Sequence, residues 1–411
     1  MEEIQERLDH IDTARMIDHV RMLASLEFAG RRLGTEGNRR SRLWLKNMLE
    51  AWGYGVKEIS FEADVWEFDD IPRLYVKEDS DATISVLQHR SDYAMHMGSP
   101  PTSVSLIGPL HLPGRSLEDA GGKWVVRSSL SDSQLAQLTK EVVRVGGLGV
   151  FLLRKVTGDG YFVKQVRKDT LLHCPVFIFR DDDWLLQEHH RFHSFVPAMK
   201  RVTVRGASLF AQLNRVEGTD FPSGSGLVIT AHYDGVGDDP DGKRFPGASD
   251  NASGVAVLLE LARMVAAVKR PPIRPIFFLL FDGEEYGALG SRHVARLWGE
   301  QKWDLPPWVI NLDTVARMGE MIWIEAGGEA DPLIRALDEA GKDLSIPLSF
   351  GTVASDNRPF ARQGFPSVGV SSGGFGIHTP ADTAERVEGK ALERAARLIL
   401  WTMWRLAFDG S

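Results

Sequence analysis

Apolar residues along the second half of the chain recur with alternating strand and helix periods. Val255, Leu258, Leu259, Ala262 and Val265 keep helical spacing and predict an amphipathic helix. Short apolar runs stand at 227–230, 276–281, 309–312, 321–324 and 367–370. The continuous run at 276–281 is typical of a strand covered on both faces of a parallel sheet. With further helices predicted near 331–341 and 388–406, residues 206–411 are expected to form an α/β sandwich.

The first 205 residues show two other patterns. Residues 12–56 predict two helices joined by a glycine-rich, basic connector at 29–38, which is expected to be a structured surface turn. Residues 59–205 predict a mostly β unit with one helix at 131–145. Its strand-like runs stand at 73–76, 103–107, 123–126, 149–153 and 175–179.

Composition and charge exclude several classes of protein. The 411 residues carry a formal net charge of -8, the wrong sign for a protein that binds nucleic acid phosphates. The longest apolar runs are far shorter than the about 20 residues needed to cross a membrane. The amino terminus carries charges where a signal peptide needs an apolar stretch, so a cytoplasmic location is expected. The single cysteine, Cys174, lies in a strand-like run and is expected to be a buried, inert thiol.

Two other features are given ordinary structural interpretations. The three histidines at 189, 190 and 193 stand in a charged stretch without a carboxylate pattern, so a solvated face is favoured over a metal site. The eleven tryptophans, among them Trp401 and Trp404, leave a homo-oligomer open, although core packing is their commoner use.

Histidines and carboxylates cluster directly after the apolar runs of the second half. They are His232, Asp234, Asp250, Asp282, Glu284, Glu285, Asp313 and His378. In an open α/β sheet, ligands bind beyond the carboxyl ends of the strands, so these side chains are expected to share one rim. Each alone has a structural explanation, as a helix cap or a hydrogen-bonded histidine. Together they indicate a divalent cation, and a mixed His and carboxylate set without thiolate suits zinc, with cobalt or manganese as substitutes.

Five stretches of this sequence resemble, in order, the motifs of the co-catalytic di-zinc aminopeptidase family, which also contains glutamate-carboxypeptidase-like and transferrin-receptor-like proteins. They are Ala-His-Tyr-Asp at 231–234, Pro-Gly-Ala-Ser-Asp-Asn-Ala-Ser-Gly-Val at 246–255, Gly-Glu-Glu-Tyr-Gly-Ala-Leu-Gly-Ser at 283–291, Asn-Leu-Asp at 311–313 and His-Thr-Pro-Ala-Asp-Thr at 378–383. The resemblance extends to residues 34–38 and 355–360. The middle segment, around 121–127 and 146–149, looks like the protease-associated domain often inserted in that family.

The resemblance implies a fold and a domain order. The expected fold is a three-layer α/β sandwich with a mostly parallel central sheet, of the zinc-exopeptidase type, plus an inserted, mostly β domain. Residues 1–58 would supply N-terminal helices of the peptidase domain, 59–205 the protease-associated-like insert, and 206–411 the part of the peptidase domain that carries the metal site.

The resemblance also implies a role for individual positions. Asp250 would bridge two zinc ions, with His232 and Asp313 completing one site and Glu285 and His378 completing the other. Glu284 corresponds to the general base of the family. Asp234 matches the carboxylate that orients the first histidine, and Asp382 is a looser candidate for bracing the loop of the last one.

One position departs from the family pattern. Many members have a tyrosine just before the last histidine ligand, where its hydroxyl helps to stabilise the tetrahedral intermediate, and this chain has Ile377. Tyr233, Arg317 and Arg358 are the candidates for a replacement donor.

The expected activity is that of a metal-dependent exopeptidase, in first place an aminopeptidase that cleaves N-terminal peptide bonds of peptide substrates. A carboxypeptidase or dipeptidase is the alternative, because Arg317 and Arg358 could hold a substrate carboxylate. A non-catalytic binding protein and a single-zinc acyl-transfer enzyme such as a glutaminyl cyclase are further alternatives, and the complete set of ligands argues against both.

Overall fold

The protein is described by a computed structural model that covers residues 2–68, 70–78, 84–128, 130–166, 171–181, 190–213, 226–301 and 306–409. The α-helices in these ranges are α1 (Glu2–Asp9), α2 (Thr13–Leu23), α3 (Glu36–Ala51), α4 (Asp132–Arg144), α5 (Ser253–Ala266), α6 (Leu289–Gly299), α7 (Asp331–Asp343), α8 (Asn357–Arg362) and α9 (Gly389–Trp404).

The strands of the same ranges are β1 (Tyr54–Phe68), β2 (Arg73–Glu78), β3 (Ile84–Leu87), β4 (Ala94–Met95), β5 (Leu106–His111), β6 (Trp124–Ser128), β7 (Gly149–Arg154), β8 (Val176–Arg180), β9 (His190–Phe195), β10 (Met199–Leu213), β11 (Leu227–His232), β12 (Ile276–Phe281), β13 (Trp308–Leu312), β14 (Ile322–Gly327), β15 (Leu348–Phe350) and β16 (Ser367–Ser371). The predicted alternation of strands and helices in the second half is confirmed.

The chain divides into two units. The first contains residues 1–63, 203–238 and 244–411, and the second contains residues 64–202 and 239–243. The long strands β1 and β10 each contain one of the boundaries.

The first unit is an α/β fold built on an eight-stranded sheet. The strand order is β1-β10-β12-β11-β13-β16-β14-β15. The central strands β12, β11, β13 and β16 are parallel neighbours, with Ala231 opposite Leu280 and Ile310 opposite Val368. β10 and β14 pair antiparallel with β12 and β16 respectively, so the sheet is mixed but mostly parallel, as expected. Because the four central strands run the same way, their carboxyl ends meet at one edge.

The core of this unit is formed by the sheet and the helices that cover it. β11 and β12 are buried at every residue, which agrees with their continuous apolar sequences. Helix α5 is also buried along nearly its whole length, including Glu260, whose carboxylate pairs with Arg263 and accepts a hydrogen bond from the Asp12 backbone N–H. α5 is therefore buried on most of its surface, whereas an amphipathic surface helix is buried on one face only. Trp401 and Trp404 on α9 are 3% exposed and pack in this core.

The second unit contains another eight-stranded sheet, in the order β3-β2-β9-β5-β6-β7-β8-β4. β5, β6, β7 and β8 are parallel, and the outer pairs are antiparallel. The Trp124 and Phe151 rings stack 4.9 Å apart in its core. Helix α4, predicted at 131–145, begins at a capping box formed by Ser131 and Gln134. Cys174 is buried, as expected, and burial raises the pKa of its thiol to about 12.

Two expectations about exposure are wrong. Arg31, in the connector predicted to be a surface turn, is completely buried. His190, in the stretch predicted to be a solvated face, is 2% exposed because it begins strand β9, where it lies opposite Glu78 on the neighbouring strand. His193 of the same stretch is half-buried, and His189 lies outside the described residues. Within the described residues, no helix combines the length and the apolar character that crossing a membrane requires.

Candidate metal centre

The predicted ligand residues stand at the carboxyl ends of the four central strands. His232 is the last residue of β11, Asp313 follows β13 directly, and Glu285 lies four residues after β12. His378 comes from the loop after β16, and Asp250 from the short segment before α5. The parallel register of the strands thus brings together five side chains that are far apart in sequence.

The first group consists of His232, Asp250 and Asp313. The Nε2 atom of His232 lies 3.2 Å from Oδ1 of Asp250 and 3.7 Å from Oδ1 of Asp313. The His232 side chain is fully buried, and the two carboxylates are 11% and 12% exposed. One candidate ligand atom from each residue lies within 4.8 Å of the others, close enough for one metal ion.

The second group consists of Asp250, Glu285 and His378. The Nε2 atom of His378 lies 3.1 Å from Oδ2 of Asp250 and 2.7 Å from Oε2 of Glu285. Asp250 therefore belongs to both groups and turns one oxygen toward each histidine. A carboxylate in this position can bridge two cations.

The buried carboxylate of Asp234 contacts residues of both groups. It is completely buried, and its Oδ1 lies 3.4 Å from Nδ1 of His232, on the side of the ring away from Asp250. Its two oxygens accept hydrogen bonds from the backbone N–H groups of Glu284 and Glu285, at 3.0 and 3.2 Å. One carboxylate thus orients a ligand on β11 and the turn that carries Glu284 and Glu285 after β12.

The segment that carries Asp250 is held by two further side chains. The carboxylate of Asp382 accepts hydrogen bonds from the backbone N–H groups of Ser249 and Asp250, at 2.6 and 3.1 Å. The amide of Asn251 donates to the carbonyl of Leu312 at 2.9 Å and accepts from the N–H of Thr314 at 3.2 Å. Asn251 therefore clamps the residues on both sides of Asp313, and Asp382 contacts the Asp250 segment.

Arg31 is a structural element of the site that the sequence analysis missed. Its guanidinium donates to the carbonyls of Tyr233, Pro246 and Gly247, at 2.8, 2.9 and 2.8 Å, and also to Leu23. These carbonyls belong to the segments that carry His232 and Asp250. Gly247 has a φ of +63°, and a Cβ there would stand 2.8 Å from the guanidinium, so glycine is required beside Arg31.

Asp282 has a structural role away from the ligand groups. It is completely buried and accepts hydrogen bonds from the Asn38 amide at 2.8 Å and from the Ala207 backbone N–H at 3.1 Å. Burial and the nearby carboxylate of Asp234 raise its pKa to about 7. It ties the first turn of α3 and strand β10 to the end of β12.

The carboxylates of the centre perturb one another and the histidines. Burial disfavours charge on both histidines, but the surrounding carboxylates outweigh burial and raise the pKa of His232 and of His378. Burial, together with the neighbouring Asp356, Asp313 and Glu285, raises the pKa of Glu284. Burial also raises the pKa of Glu285, and the two histidines lower the pKa of Asp250 despite burial. The centre thus attracts positive charge.

The donor set fits a pair of zinc ions. Each group offers three protein ligands, which are one imidazole, one carboxylate of its own and one oxygen of Asp250. Catalytic zinc sites typically have three protein ligands and leave a fourth position open for water or substrate. Zinc bonds of tetrahedral geometry place ligand atoms about 3.4 Å apart, close to the spacings found here. The buried Nε2 atoms of both histidines have no hydrogen-bond partner within the described part of the chain. Two divalent cations would carry +4 against the -3 of the three ligating carboxylates.

The candidates for the role of the missing tyrosine differ in position. Tyr233 is completely buried and donates its hydroxyl to the carbonyl of Ala207 at 2.8 Å, so it does not serve the site. Arg358 donates to Glu325 at 2.7 Å. Arg317 is exposed, lies over the ring of Phe375 at 5.3 Å, and pairs with no carboxylate in the described ranges. Arg317 therefore remains the candidate with an uncommitted guanidinium.

The sequence of this region matches a known family. Residues 214–403, which include all five ligand positions, match the sequence pattern of peptidase family M28. The match covers 190 of the 411 residues. It confirms the resemblance of this part of the chain to zinc aminopeptidases, which are hydrolases. Aminopeptidase YwaD of Bacillus subtilis (strain 168) is 30% identical over 187 residues, which are 42% of this chain. The chain spans about two fifths of that relative's length, 39%.

Solved structures share the M28 fold over nearly the whole chain. A zinc aminopeptidase from Bacillus subtilis, BSAP, superposes with a TM-score of 0.72 at 21% identity and covers 97% of this chain and 95% of its own. A peptidase M28 precursor from Shewanella amazonensis SB2B superposes with a TM-score of 0.75 at 16% identity, covering 100% and 97%. At these identities the similarity shows the fold.

Proposed function

We propose that the protein is a two-zinc aminopeptidase, and that it removes N-terminal residues from peptides. The observation that carries this proposal is the shared Asp250, whose two oxygens face His232 and His378 from opposite groups. Two adjacent cation sites with one bridging carboxylate suit hydrolysis of an amide bond. When bound, the ions would polarise the scissile carbonyl and make a water molecule acidic.

The residues around the ions have separate roles in this proposal. His232 and Asp313 would hold one ion, Glu285 and His378 would hold the other, and Asp250 would give one oxygen to each. Asp234 orients His232 and keeps its ring basic, through a carboxylate 3.4 Å from Nδ1. Asp382 fixes the backbone of Asp250.

Glu284 serves as the general base. It is adjacent to the ligand Glu285, its side chain is partly accessible to solvent, and its backbone is fixed by Asp234. Burial raises the pKa of this carboxyl, and the more basic carboxylate suits a group that takes a proton from water and returns it to the leaving amine.

Arg317 supports a second candidate specificity within the same fold. Its uncommitted guanidinium stands four residues after Asp313, and a guanidinium binds a carboxylate through two parallel hydrogen bonds. Cleavage of dipeptides, or of short peptides with a free C-terminus next to the scissile bond, is therefore the alternative to a general aminopeptidase.

The remaining part of the proposal concerns the domains. We propose that the unit formed by residues 64–202 and 239–243 is a protease-associated-like domain inserted in the peptidase domain. Its own sheet and core, with Trp124, Phe151 and Phe177 packed together, support independent folding. Expression of residues 64–202 joined to residues 239–243 by a short glycine-serine linker should give a cooperative thermal transition, and an unfolded fragment would contradict this assignment.

The experiment that tests the activity is a peptide-library digest read by mass spectrometry, with the purified full chain and zinc, with and without a chelator. We expect truncation from the N-terminus that the chelator abolishes and added zinc restores. Truncation from the C-terminus, cyclisation of an N-terminal glutamine with loss of ammonia, or no change in any peptide would contradict the proposal. The variant Glu284→Gln serves as the inactive control for contaminating peptidases.

A further inference from the structure

The first unit has a cleft between the beginning of helix α3 and strands β1 and β10. Its volume is about 440 Å³. It is lined by Gly34, Thr35, Glu36, Asn38, Arg39, Arg42, Glu58, Ser60, Arg205, Gly206 and Ala207. None of the residues assigned to the metal centre lines it.

The charge in and around this cleft is positive, although the whole chain carries -8. Its two lining carboxylates are each shared between two cations. Glu36 accepts hydrogen bonds from Arg39 at 2.7 Å and from Arg40 at 3.0 Å. Glu58 lies 3.2 Å from Arg42 and 3.4 Å from Lys46.

Arg205 adds a fifth cation to this group. It is exposed and forms no ion pair with any residue that the structure describes. Even when buried Asp282, 4.0 Å from Arg42, is counted as a third carboxylate, the cations exceed the anions by two. An acidic protein that concentrates positive charge in one concave place has a site suited to an anion.

The positions of the arginines favour a defined binding geometry. Arg39 and Arg42 are three residues apart on α3 and therefore lie on the same face of the helix. Arg205 lies on strand β10, next to Gly206, which closes the cleft from the other side. The positive end of the α3 dipole, at the N-cap residue Thr35, opens into the same space and adds to the attraction.

We propose that this cleft binds a small anion through a carboxylate or phosphate group held by Arg205, Arg39 and Arg42. Guanidinium groups match the planar or tetrahedral oxygen arrangement of these anions and bind them through paired hydrogen bonds. The site is separate from the metal centre, and the proposal does not depend on the peptidase activity.

The inner wall of the cleft is bonded to the strand end that carries the metal centre. Asn38 and Ala207 both donate to Asp282, two residues before Glu284. The carbonyl of Ala207 also accepts the hydroxyl of Tyr233, the neighbour of His232. An anion bound in the cleft would therefore contact residues that are hydrogen-bonded to Asp282 and Tyr233, which stand beside the residues of the centre in the sequence.

Isothermal titration calorimetry of the zinc-loaded full chain tests the proposal, with inorganic phosphate and succinate as separate probes. We expect saturable binding of at least one probe, weakened 10-fold or more in Arg205→Gln. Arg40→Gln is the matched control, because Arg40 pairs with the same Glu36 but does not line the cleft, and its affinity should stay within 2-fold of the parent. Arg39→Gln provides a second test variant should Arg205→Gln unfold.

The design separates the cleft from the metal centre, where either probe could also bind. Binding at zinc would be equal in the parent and in both cleft variants. Equal affinities in the parent, Arg205→Gln and Arg39→Gln, or the absence of binding for both probes, would overturn the proposal. Tighter binding of phosphate or of succinate would show which of the two groups the site prefers.

Discussion

The carboxylate of Asp234 accepts a hydrogen bond from the backbone N–H of Glu284 at 3.0 Å. The same carboxylate lies 3.4 Å from the ring of His232. Asp234 thus couples the position of Glu284, the proposed general base after β12, to the orientation of His232, a proposed metal ligand at the end of β11. Because the residue is completely buried, solvent cannot replace either contact.

Replacing Asp234 by Asn should weaken zinc binding. The amide keeps the size of the carboxylate but loses its charge, so it no longer supports the basicity of His232. We expect a 10- to 100-fold loss of zinc affinity, measured by competition with a chromogenic chelator. Asp241→Asn, at an exposed loop position, is the control and should bind zinc like the parent. Unchanged affinity in Asp234→Asn would contradict the role of this carboxylate.

Glu284 and Glu285 are neighbours with different expected roles, and the same conservative change separates them. Glu284→Gln should lower kcat about 100- to 10,000-fold while both zinc ions remain, because a general base is lost but no ligand is. Glu285→Gln should lose zinc from the second group. Turnover of a leucine anilide and zinc content by mass spectrometry give the two readouts. A Glu284→Gln variant that retains full turnover would rule out the general-base assignment.

Arg317 should matter only for substrates that end in a free carboxylate. Loss of a charge-assisted pair costs about 1.5 to 3 kcal/mol, so Arg317→Gln should raise KM about 10- to 100-fold for Leu-Gly-Gly. The same rise is expected for the dipeptide Leu-Gly, whose carboxylate stands next to the scissile bond, and the KM values for the amides Leu-Gly-NH2 and Leu-Gly-Gly-NH2 should not change. Arg386→Gln is the matched control, because Arg386 stacks on the same Phe375 ring but donates to the carbonyl of Ala381. Equal effects on the free acids and on the amides would indicate a structural role for Arg317.

The second unit contains a buried charge cluster whose effect on stability depends on pH. Asp239 lies 2.7 Å from Lys164 and 3.1 Å from Arg90, and all three side chains are less than 10% exposed. Burial opposes charge on Asp239, but Arg90 and Lys164 outweigh it and lower the pKa of the carboxyl to about 2. The unfolded chain has a value of about 3.9. The stabilisation is therefore complete above about pH 4 and is lost as the pH falls toward 2.

Asp239→Asn should accordingly destabilise the chain in a pH-dependent way. At pH 7 the variant leaves two buried cations without their anion, at a cost of about 3 kcal/mol or more. At pH 3 and below, the parent begins to lose the same contribution, so the difference between parent and variant shrinks. Urea unfolding at pH 7 and pH 3 measures it, with Asp241→Asn as the control. A difference that is constant or grows on acidification would contradict the assignment.

Much of the first unit could be predicted from the sequence because its strands are short apolar runs buried on both faces. The ligand positions followed from the same pattern, since residues that end parallel strands share an edge. The resemblance to the peptidase family then supplied the roles. Asp250 belongs to both groups because each of its oxygens faces a different histidine. The spacing of residues along the sequence does not determine this orientation.

Buried polar residues are where the sequence was least informative. Arg31 and Arg32 are adjacent and chemically identical, yet Arg31 is the one that bonds to the carbonyls around the site. Only the fold places those carbonyls in its reach. His190 likewise stands in a charged stretch whose polarity suggested solvent, but its place at the start of β9 buries it. The composition of a short stretch does not predict burial that results from pairing with a neighbouring strand.

Zinc stoichiometry decides whether Asp250 holds two zinc ions side by side. Inductively coupled plasma mass spectrometry after dialysis should find two zinc ions per chain in the parent, one in His232→Ala and one in His378→Ala. Asp250→Asn should retain fewer than one, because both groups lose an oxygen ligand. Two ions in Asp250→Asn, or the loss of both ions in each histidine variant and a single ion in the parent, would contradict the account.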